Sequence, residues 1–419
     1  MDTIFALATA RGKSGVAIVR VSGPDAALVA GQLCAVPDHR GLRRLLWRGE
    51  VLDQALVLRF GAGKSFTGEE VIEFHIHGSN AVQSALLDAL AQTQARLAEP
   101  GEFTRRAIEN DRLDLAQVEG LSDLIEAETQ IQRAQALALM QGGLSEKADA
   151  WRTSLIRAAA LIEATIDFAD EDVPTDVSPE VTQLLQDSLQ GIQKEIAGSF
   201  VAERIRDGFE VVILGPPNIG KSTLLNYLAG REAAITSDIA GTTRDVIEVR
   251  MDLGGLPVTL LDTAGLRDTK DAVEAIGVDR ARQRAADADL RVVLLESLAD
   301  RPSVDMQDGD ICLFGKQDKG EGISGKTGNG VSELVNHISD VLTKRASQAK
   351  SAVRLRHRLA LESATTYMQG ALSLVETDSE AELVALEIRS ALAALDSLIG
   401  KTGVEDLLDE IFASFCLGK

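Results

Sequence analysis

The chain carries a phosphate-loop pattern, Gly215-Pro-Pro-Asn-Ile-Gly-Lys-Ser222, directly after an apolar run at 211–214 that predicts a buried strand. Glycines let backbone NH groups converge on phosphate oxygens, while Lys221 supplies positive charge and the hydroxyl of Ser222 can ligate Mg²⁺. Residues 222–228 have helical spacing, and a helix N-terminus attracts anions. The pattern therefore predicts a site for a nucleoside triphosphate.

Two later segments fit the same chemistry. Asp262-Thr-Ala-Gly265 follows another apolar run, which is typical of an Asp that contacts Mg²⁺ and a Gly that senses the terminal phosphate. Between these elements, Thr243 within Gly241-Thr-Thr-Arg-Asp245 can complete the Mg²⁺ shell. This order of elements is typical of GTPase-type proteins.

The base-recognition motif is altered. Guanine is usually read by Asn-Lys-x-Asp after a buried strand, and this chain has Gly315-Lys-Gln-Asp318 instead. Asp318 keeps the charged acceptor, and a hydrogen bond to a charged group contributes about 1.5–3 kcal/mol against about 0.5–1.5 for a neutral one. Ser324-Gly-Lys326 is similar to the usual supporting Ser-Ala-Lys loop. We therefore expect GTP as substrate, bound several-fold more weakly for want of the Asn.

Hydrolysis needs an unusual arrangement. Leu266 follows Gly265 where many small GTPases have a glutamine, and leucine cannot hydrogen-bond to the attacking water. Glu274 is a candidate for that task, although the charge pattern alone favours a set of solvated residues, Asp268, Asp271 and Glu274. Asn218 offers an uncharged oxygen that could help to hold a monovalent cation beside the phosphates.

Composition limits the function classes. The 419 residues suffice for roughly three domains of about 150 residues. Apolar residues are 45% and aromatic residues 4%, and no apolar stretch reaches about 18 residues, so we expect a globular, helix-leaning protein without a membrane span. The first residues lack the basic n-region of a signal peptide, which favours the cytoplasm. A net charge of −21 opposes broad nucleic-acid binding, so we expect no DNA partner and only local RNA contacts.

Two basic stretches could make local RNA contacts, but a solvated helix face is the simpler interpretation of each. They consist of Arg105, Arg106 and Arg112, and of Arg354, Arg356, His357 and Arg358. The three cysteines, Cys34, Cys312 and Cys416, are scattered, which argues against a disulfide framework or a zinc site.

The elements that must position these residues change along the chain. Up to about residue 112, strand-like runs and one helical stretch predict an α+β domain; they lie at 15–21, 55–60, 71–77 and, for the helix, 81–97. The pattern from 113 to about 206 is helical, and Ser178 and Pro179 suit the cap and first turn of one helix.

A doubly wound nucleotide-binding domain follows from about 210 to 341. Its predicted strands lie at 211–214, 258–261, 290–295 and 311–314. Helices resume beyond about 346. One helical domain that contains the nucleotide domain as an insertion, and two separate helical domains, both fit this order.

Further segments outside the GTPase elements are motifs of one family. They are Asp2-Thr-Ile, Gly15-Val-Ala-Ile-Val-Arg20, Ser65-Phe-Thr-Gly-Glu-Glu70, Pro100-Gly-Glu-Phe-Thr104, Asn110-Asp-Arg-Leu-Asp-Leu-Ala-Gln117 and Phe415-Cys-Leu-Gly-Lys419. With them the chain resembles the bacterial MnmE (TrmE) family of tRNA modification GTPases over its full length. The resemblance implies a multidomain fold: an N-terminal α+β tetrahydrofolate-binding and dimerisation domain at 1–112, an all-α helical domain at 113–206 plus 346–419, and an inserted α/β P-loop GTPase domain at 207–345.

The resemblance also assigns the nucleotide site. The implied GTP contacts are Asn218, Ile219, Gly220, Lys221, Ser222, Thr223, Ser237, Asp238, Ile239, Ala240, Gly241, Thr242, Thr243, Asp262, Thr263, Ala264, Gly265, Lys316, Asp318, Ser324, Gly325 and Lys326. Ser222 and Thr243 would ligate Mg²⁺. The implied K⁺ ligands are Asn218, Ser237, Ile239 and Thr242. Glu274 matches the water-orienting glutamate of the family.

For the cofactor, the resemblance implies 5-formyl- or 5,10-methylene-tetrahydrofolate, in contact with Arg20, Glu73, Arg112 and Lys419. Glu73, His75 and His77 share one strand face by their spacing, and we interpret that face as lining a ligand pocket rather than as a metal site. Cys416 alone would be a small buried hydrophobe, whereas the resemblance implies a catalytic role in the modification chemistry.

The implied function is that of a homodimeric, potassium-stimulated GTPase. With a flavin-dependent MnmG-type partner, as a heterotetramer, it would install aminomethyl or carboxymethylaminomethyl groups at C5 of wobble uridine in tRNA, using a folate one-carbon unit. Two alternatives are a non-modifying switch GTPase, such as an assembly factor, and a folate-binding scaffold with a degraded GTP site.

Overall fold

The computed structural model describes residues 2–167, 176–231, 248–262, 286–297, 300, 306–377, 379–401 and 418. The chain divides into two compact units. One runs to Ser122 and resumes at Asp396, and the other extends from Asp123 to Leu395. Within the described ranges, no helix is both long enough and apolar enough to span a membrane.

The first unit is built on a six-stranded sheet. Its strands are β1 (Ile4–Leu7), β2 (Val16–Ser22), β3 (Arg40–Trp47), β4 (Glu50–Phe60), β5 (Val71–His77) and β6 (Arg96–Leu97), in the order β3-β4-β5-β2-β1-β6. All neighbours pair antiparallel except β1 and β6. The helices are α1 (Ala26–Gly31), α2 (Asn80–Leu90) and α3 (Glu102–Glu109), followed by α4 (Leu115–Glu126) across the unit boundary.

Alternation along β5 decides which side chains enter the core. Ile72, Phe74 and Ile76 are fully or almost fully buried and pack with residues of α1 and α2. Glu73, His75 and His77 occupy the opposite face, because successive strand residues point to opposite sides. The prediction that these three share a face is confirmed.

The predicted strands at 15–21, 55–60 and 71–77 are confirmed within a few residues, whereas the predicted helix at 81–97 was too long. It ends at Leu90, whose carbonyl oxygen accepts a hydrogen bond from the Thr93 hydroxyl at 2.6 Å. The same Thr93 oxygen accepts from the NH of Ala95 at 3.2 Å. Such local bonds compete with helix formation, and residues 96–97 then pair with β1 instead.

The second unit contains long helices and a five-stranded sheet. Its elements are α5 (Gln130–Met140), α6 (Ser145–Asp167), α7 (Ser178–Asp207), β7 (Phe209–Leu214), α8 (Lys221–Ala229), β8 (Glu248–Leu253), β9 (Leu256–Asp262), β10 (Leu290–Leu295), β11 (Ile311–Phe314), α9 (Val331–Ala346) and α10 (Leu355–Glu376). The last described helix, α11 (Ala381–Ile399), crosses the unit boundary.

Helix α7 begins where the sequence predicts, with Pro179 in its first turn, but the predicted cap was wrong. Val177 is the N-cap residue, and no side chain caps the helix from that position. The carboxylate of Asp176 instead accepts a hydrogen bond from the Ser178 NH at 3.0 Å. A carboxylate placed here satisfies a first-turn NH as the Ser hydroxyl was expected to do.

The sheet of the second unit has the order β11-β10-β7-β9-β8. All pairs are parallel except β8 with β9. All four predicted strands are present, as β7, β9, β10 and β11. Because β7 is flanked by β9 and β10, the loops after these strands open at one carboxyl edge, where open α/β sheets bind ligands.

Candidate functional site

The loop between β7 and α8 carries the phosphate-loop residues at that carboxyl edge. Lys221 is buried at the start of α8, and its Nζ donates to the carbonyl oxygens of Gly215 at 2.8 Å and Pro216 at 3.0 Å. Burial lowers the pKa of the Lys221 amine, while the charge of Asp262 opposes the shift. A buried cation that donates to two backbone carbonyls has the environment of a group that binds an anion.

Two oxygen atoms that could ligate a metal ion, one from Ser222 and one from Asp262, meet beside this lysine. The Oγ of Ser222 donates to Oδ2 of Asp262 at 2.5 Å, joining the first turn of α8 to the end of β9. Asp262 is only 3% exposed. Hydroxyl and carboxylate oxygens are the ligands that Mg²⁺ prefers, so this pair fits a magnesium ion at the phosphates.

The loop after β11 presents Asp318, which is exposed. Its Oδ1 accepts a hydrogen bond from the hydroxyl of Ser324 at 2.7 Å. Ser324 is 3% exposed, and its oxygen accepts in turn from the NH groups of Lys326 and Thr327 at 3.2 and 3.3 Å. A carboxylate fixed in this way can accept hydrogen bonds from the edge of a base.

Backbone conformation at the edge is unusual. In the described chain, four residues other than glycine have positive φ: Arg48, Asp111, Asn218 and Lys316. Asn218 (φ 63°) lies in the phosphate loop and Lys316 (φ 58°) in the loop after β11. Such conformations cost free energy and are concentrated at binding sites.

The structure therefore brings together the residues of the phosphate loop, Asp262 and the two loops at 315–318 and 324–326. The other predicted nucleotide contacts, at 237–243 and 263–265, lie outside the described residues, as does Glu274. Asn218 is exposed in its loop, and its predicted K⁺ partners are among those outside residues. These assignments remain predictions.

In the first unit, Arg20 and Glu73 face each other across β2 and β5. The guanidinium donates to Glu73 Oε1 at 2.9 Å, and His75 Nε2 lies 3.3 Å from Oε2. The Phe66 and Phe103 ring centroids each lie 5.6 Å from Arg20 Cζ. Sequence reasoning missed both rings, although each lies inside a segment that carries the family resemblance.

Of the other predicted folate contacts, Arg112 is exposed, and its side chain is close to Gly68. Lys419 and Cys416 lie outside the described residues. Their neighbour Gly418 is buried, with its backbone against the carbonyl of Leu7 at the end of β1.

The expectation that both basic stretches are solvated holds for Arg112, which is exposed, but was wrong for Arg106 and for the second stretch. Arg106 is 4% exposed and donates to the backbone carbonyl of Asp2 and to the carboxylates of Asp2, Glu69 and Glu102. In the other stretch, His357 is fully buried.

Arg358 of the second stretch is also engaged. It donates to Glu203 at 3.0 Å and lies 4.0 Å above the ring of Phe200. Arg354 pairs with Asp123 at 2.5 Å. These arginines hold the helices of the second unit to one another.

Comparison with known proteins covers both units. The family model described as GTP-binding protein TrmE N-terminus matches residues 3–112, and that of the MnmE helical domain matches 115–416. The chain belongs to the MnmE family of tRNA modification GTPases. MnmE proteins of Cereibacter sphaeroides and Ruegeria pomeroyi are each 58% identical to it, and that of Roseobacter denitrificans is 56% identical, with all of both chains covered in each case.

Among solved structures, a crystal structure of Aquifex aeolicus Era bound to GDP.AlF4- is similar at 24% identity. It covers 38% of this chain and 66% of that one, with a TM-score of 0.25. Membership of the MnmE family rests on the sequence relatives and the two family models.

Proposed function

We propose that this chain hydrolyses GTP at the carboxyl edge of the β7 sheet and uses that cycle to modify C5 of wobble uridine in tRNA. The observation that carries the nucleotide part is the contact of Ser222 with Asp262 at 2.5 Å, beside the buried Lys221. Two hard oxygen donors and a cation at one sheet edge suit a metal-bound triphosphate. Membership of the MnmE family supports the tRNA part.

Each residue of the proposed GTP site has a task. Bound Mg²⁺ neutralises charge that builds up on the phosphate oxygens. Lys221 turns from the carbonyls of Gly215 and Pro216 to the phosphates, and Asp318 accepts the hydrogen bonds of guanine. Glu274 orients the attacking water, and Asn218 contributes to a K⁺ site.

The first unit is proposed to hold the folate derivative. Arg20 fixes the Glu73 carboxylate, which can then accept hydrogen bonds from ring NH groups, and the partly exposed Phe66 ring supplies apolar surface. Arg112 supplies positive charge suited to the carboxylates of a folate tail. These groups together fit a folate derivative, which when bound would supply the one-carbon unit.

The assembly proposed is a cytoplasmic homodimer that joins a flavin-dependent MnmG-type partner in a heterotetramer. The flavin belongs to the partner, and GTP hydrolysis changes the contact between the nucleotide domains.

The nucleotide part is tested by measuring GTP turnover of the full chain with Mg²⁺, in potassium and in sodium at equal ionic strength. We expect turnover that is faster in potassium. Equal rates in the two salts would refute the proposed K⁺ site. No turnover in either salt would favour the alternative of a folate-binding scaffold with a degraded GTP site.

The tRNA part is tested by nucleoside mass spectrometry of tRNA from a deletion strain. We expect unmodified wobble uridine, restored by the wild-type gene and not by Cys416→Ser. Normal modification in the deletion strain would favour a switch GTPase without a modifying role. Full rescue by Cys416→Ser would refute a chemical role for that thiol.

A further inference from the structure

The loop after β11 has Gly315 where the usual guanine motif, Asn-Lys-x-Asp, has its Asn, and the structure gives a steric reason. A Cβ added at Gly315 would lie 2.7 and 2.9 Å from side-chain atoms of Ile219 and 2.9 Å from its carbonyl oxygen. Ile219 is buried in the phosphate loop, so a side chain at 315 would require that loop to shift. A side-chain amide that hydrogen-bonds to the backbone of the 315–322 loop must therefore come from another residue.

Asn329 supplies an amide to this loop. Its Nδ2 donates to the carbonyl oxygens of Gln317 at 3.0 Å and Gly320 at 3.0 Å, and approaches that of Gly322 at 3.4 Å. All three neighbours are carbonyl oxygens, so only the NH₂ end of the amide can face them. These bonds fix the backbone on both sides of Asp318, at Gln317 and at Gly320.

The same residue is connected to the side chain of Asp318 by a second route. The backbone carbonyl of Asn329 accepts from the NH of Ser324 at 3.0 Å, and the Ser324 hydroxyl donates to Asp318 at 2.7 Å. Thr327 Oγ1 accepts from the Asn329 NH and donates to the Asp318 carbonyl, both at 3.4 Å.

We propose that Asn329 is a positioning residue for base specificity: its amide holds the 315–322 loop so that Asp318 meets the exocyclic amino group of guanine. The inference rests on the proposed GTP site and adds a specificity-determining residue to it. Asn329 touches no reacting atom in this proposal and acts only through Asp318.

The experiment measures calorimetric Kd values of the full chain, with Mg²⁺, for GDP and for IDP, whose base lacks the amino group that Asp318 would accept. The variants are Asn329→Ala, which deletes the donor, and Asn329→Asp, which sets a carboxylate against carbonyl oxygens. Asn336→Ala, an exposed asparagine on α9, is the matched control. Thermal unfolding of each variant verifies that it folds.

We expect wild type and Asn336→Ala to prefer GDP over IDP, and both Asn329 variants to lose about five- to tenfold of that preference, the loss that one or two hydrogen bonds would give. If GDP and IDP binding weaken equally, or neither changes, the positioning role is refuted. If wild type itself shows no preference, guanine recognition fails, and that outcome is distinguishable because it precedes any substitution.

Discussion

At the scale of single residues, the proposed nucleotide site contains a charged group, Lys221, whose burial costs free energy when no ligand is bound. Lys221 has a pKa lowered by burial, so the folded chain stabilises its charge less well than water does. A phosphate would add negative charge to that of Asp262 beside this amine. The residue is thus suited to bind an anion rather than to stabilise the fold.

Lys221→Met should weaken GTP binding by about 10- to 150-fold, the loss expected for a charge-assisted hydrogen bond of about 1.5–3 kcal/mol. Calorimetric titration with a non-hydrolysable GTP analogue measures it. Lys344→Met, at an exposed position on α9, is the control and should bind as wild type does. Equal affinities for all three proteins would exclude Lys221 from the phosphate site.

Gly325→Ala should destabilise the second unit by about 1–3 kcal/mol, the usual cost of overpacking. A Cβ there would lie 2.4 Å from the backbone nitrogen of Leu224 in α8. This contact explains why glycine stands where the supporting loop usually has alanine. Urea unfolding measures the effect, and Gly61→Ala, where a Cβ meets nothing within 4 Å, is the control. An unchanged unfolding midpoint for Gly325→Ala would contradict the crowding.

At the scale of elements, Arg106 explains several family motifs of the first unit. It joins the N-terminal Asp2, Glu69 of the loop before β5, and Glu102 of α3. Burial would raise the pKa of Glu102, but hydrogen bonds from Arg96, the Glu99 NH and Arg106 hold it below the ordinary 4.5. Removing one member leaves buried charge uncompensated.

Glu102→Gln should lower the free energy of unfolding of the first unit by about 1.5–3 kcal/mol at pH 7. Because the folded pKa of Glu102 is depressed, its contribution is complete above pH 4.5 and is lost as the pH falls through the folded value. The difference from wild type should therefore shrink below pH 4.5. Chemical unfolding at several pH values, with the exposed Glu109→Gln on the same helix as control, measures this. A difference that does not change with pH would argue against ionisation as its cause.

At the scale of the whole molecule, each unit has its own sheet and its own buried core. The sites proposed for GTP and for folate therefore lie in different units. Because each unit has its own core, a ligand that binds one unit can stabilise that unit more than it stabilises the other.

GDP with Mg²⁺ at about 100 times its Kd should stabilise the second unit by about 2.7 kcal/mol. Amide hydrogen exchange should slow in β7 and α8 and remain unchanged in β3 and β4. A tetrahydrofolate derivative should protect β2 and β5 and leave α8 unchanged. Mass-spectrometric exchange of the full chain with each ligand separates these cases. Protection of β5 by GDP alone would show that the nucleotide effect is not confined to its own unit.

Local sequence was sufficient for much of this protein. The apolar runs at 211–214, 290–295 and 311–314 predicted strands that are present, and the phosphate loop follows its strand as expected. Such patterns depend on backbone periodicity and on neighbours a few residues apart, so they can be interpreted without a fold.

Only the tertiary structure decided which distant residues meet. Ser222 and Asp262 are 40 positions apart, and Arg106 contacts Asp2 from 104 positions away, yet each pair shares a hydrogen bond. Charge pattern alone assigned Arg106 to solvent, because burial depends on what packs over a helix. The bonds of the Asn329 amide likewise depend on how one loop folds back on itself, and side-chain hydrogen bonding of that kind has no periodic signal in the sequence.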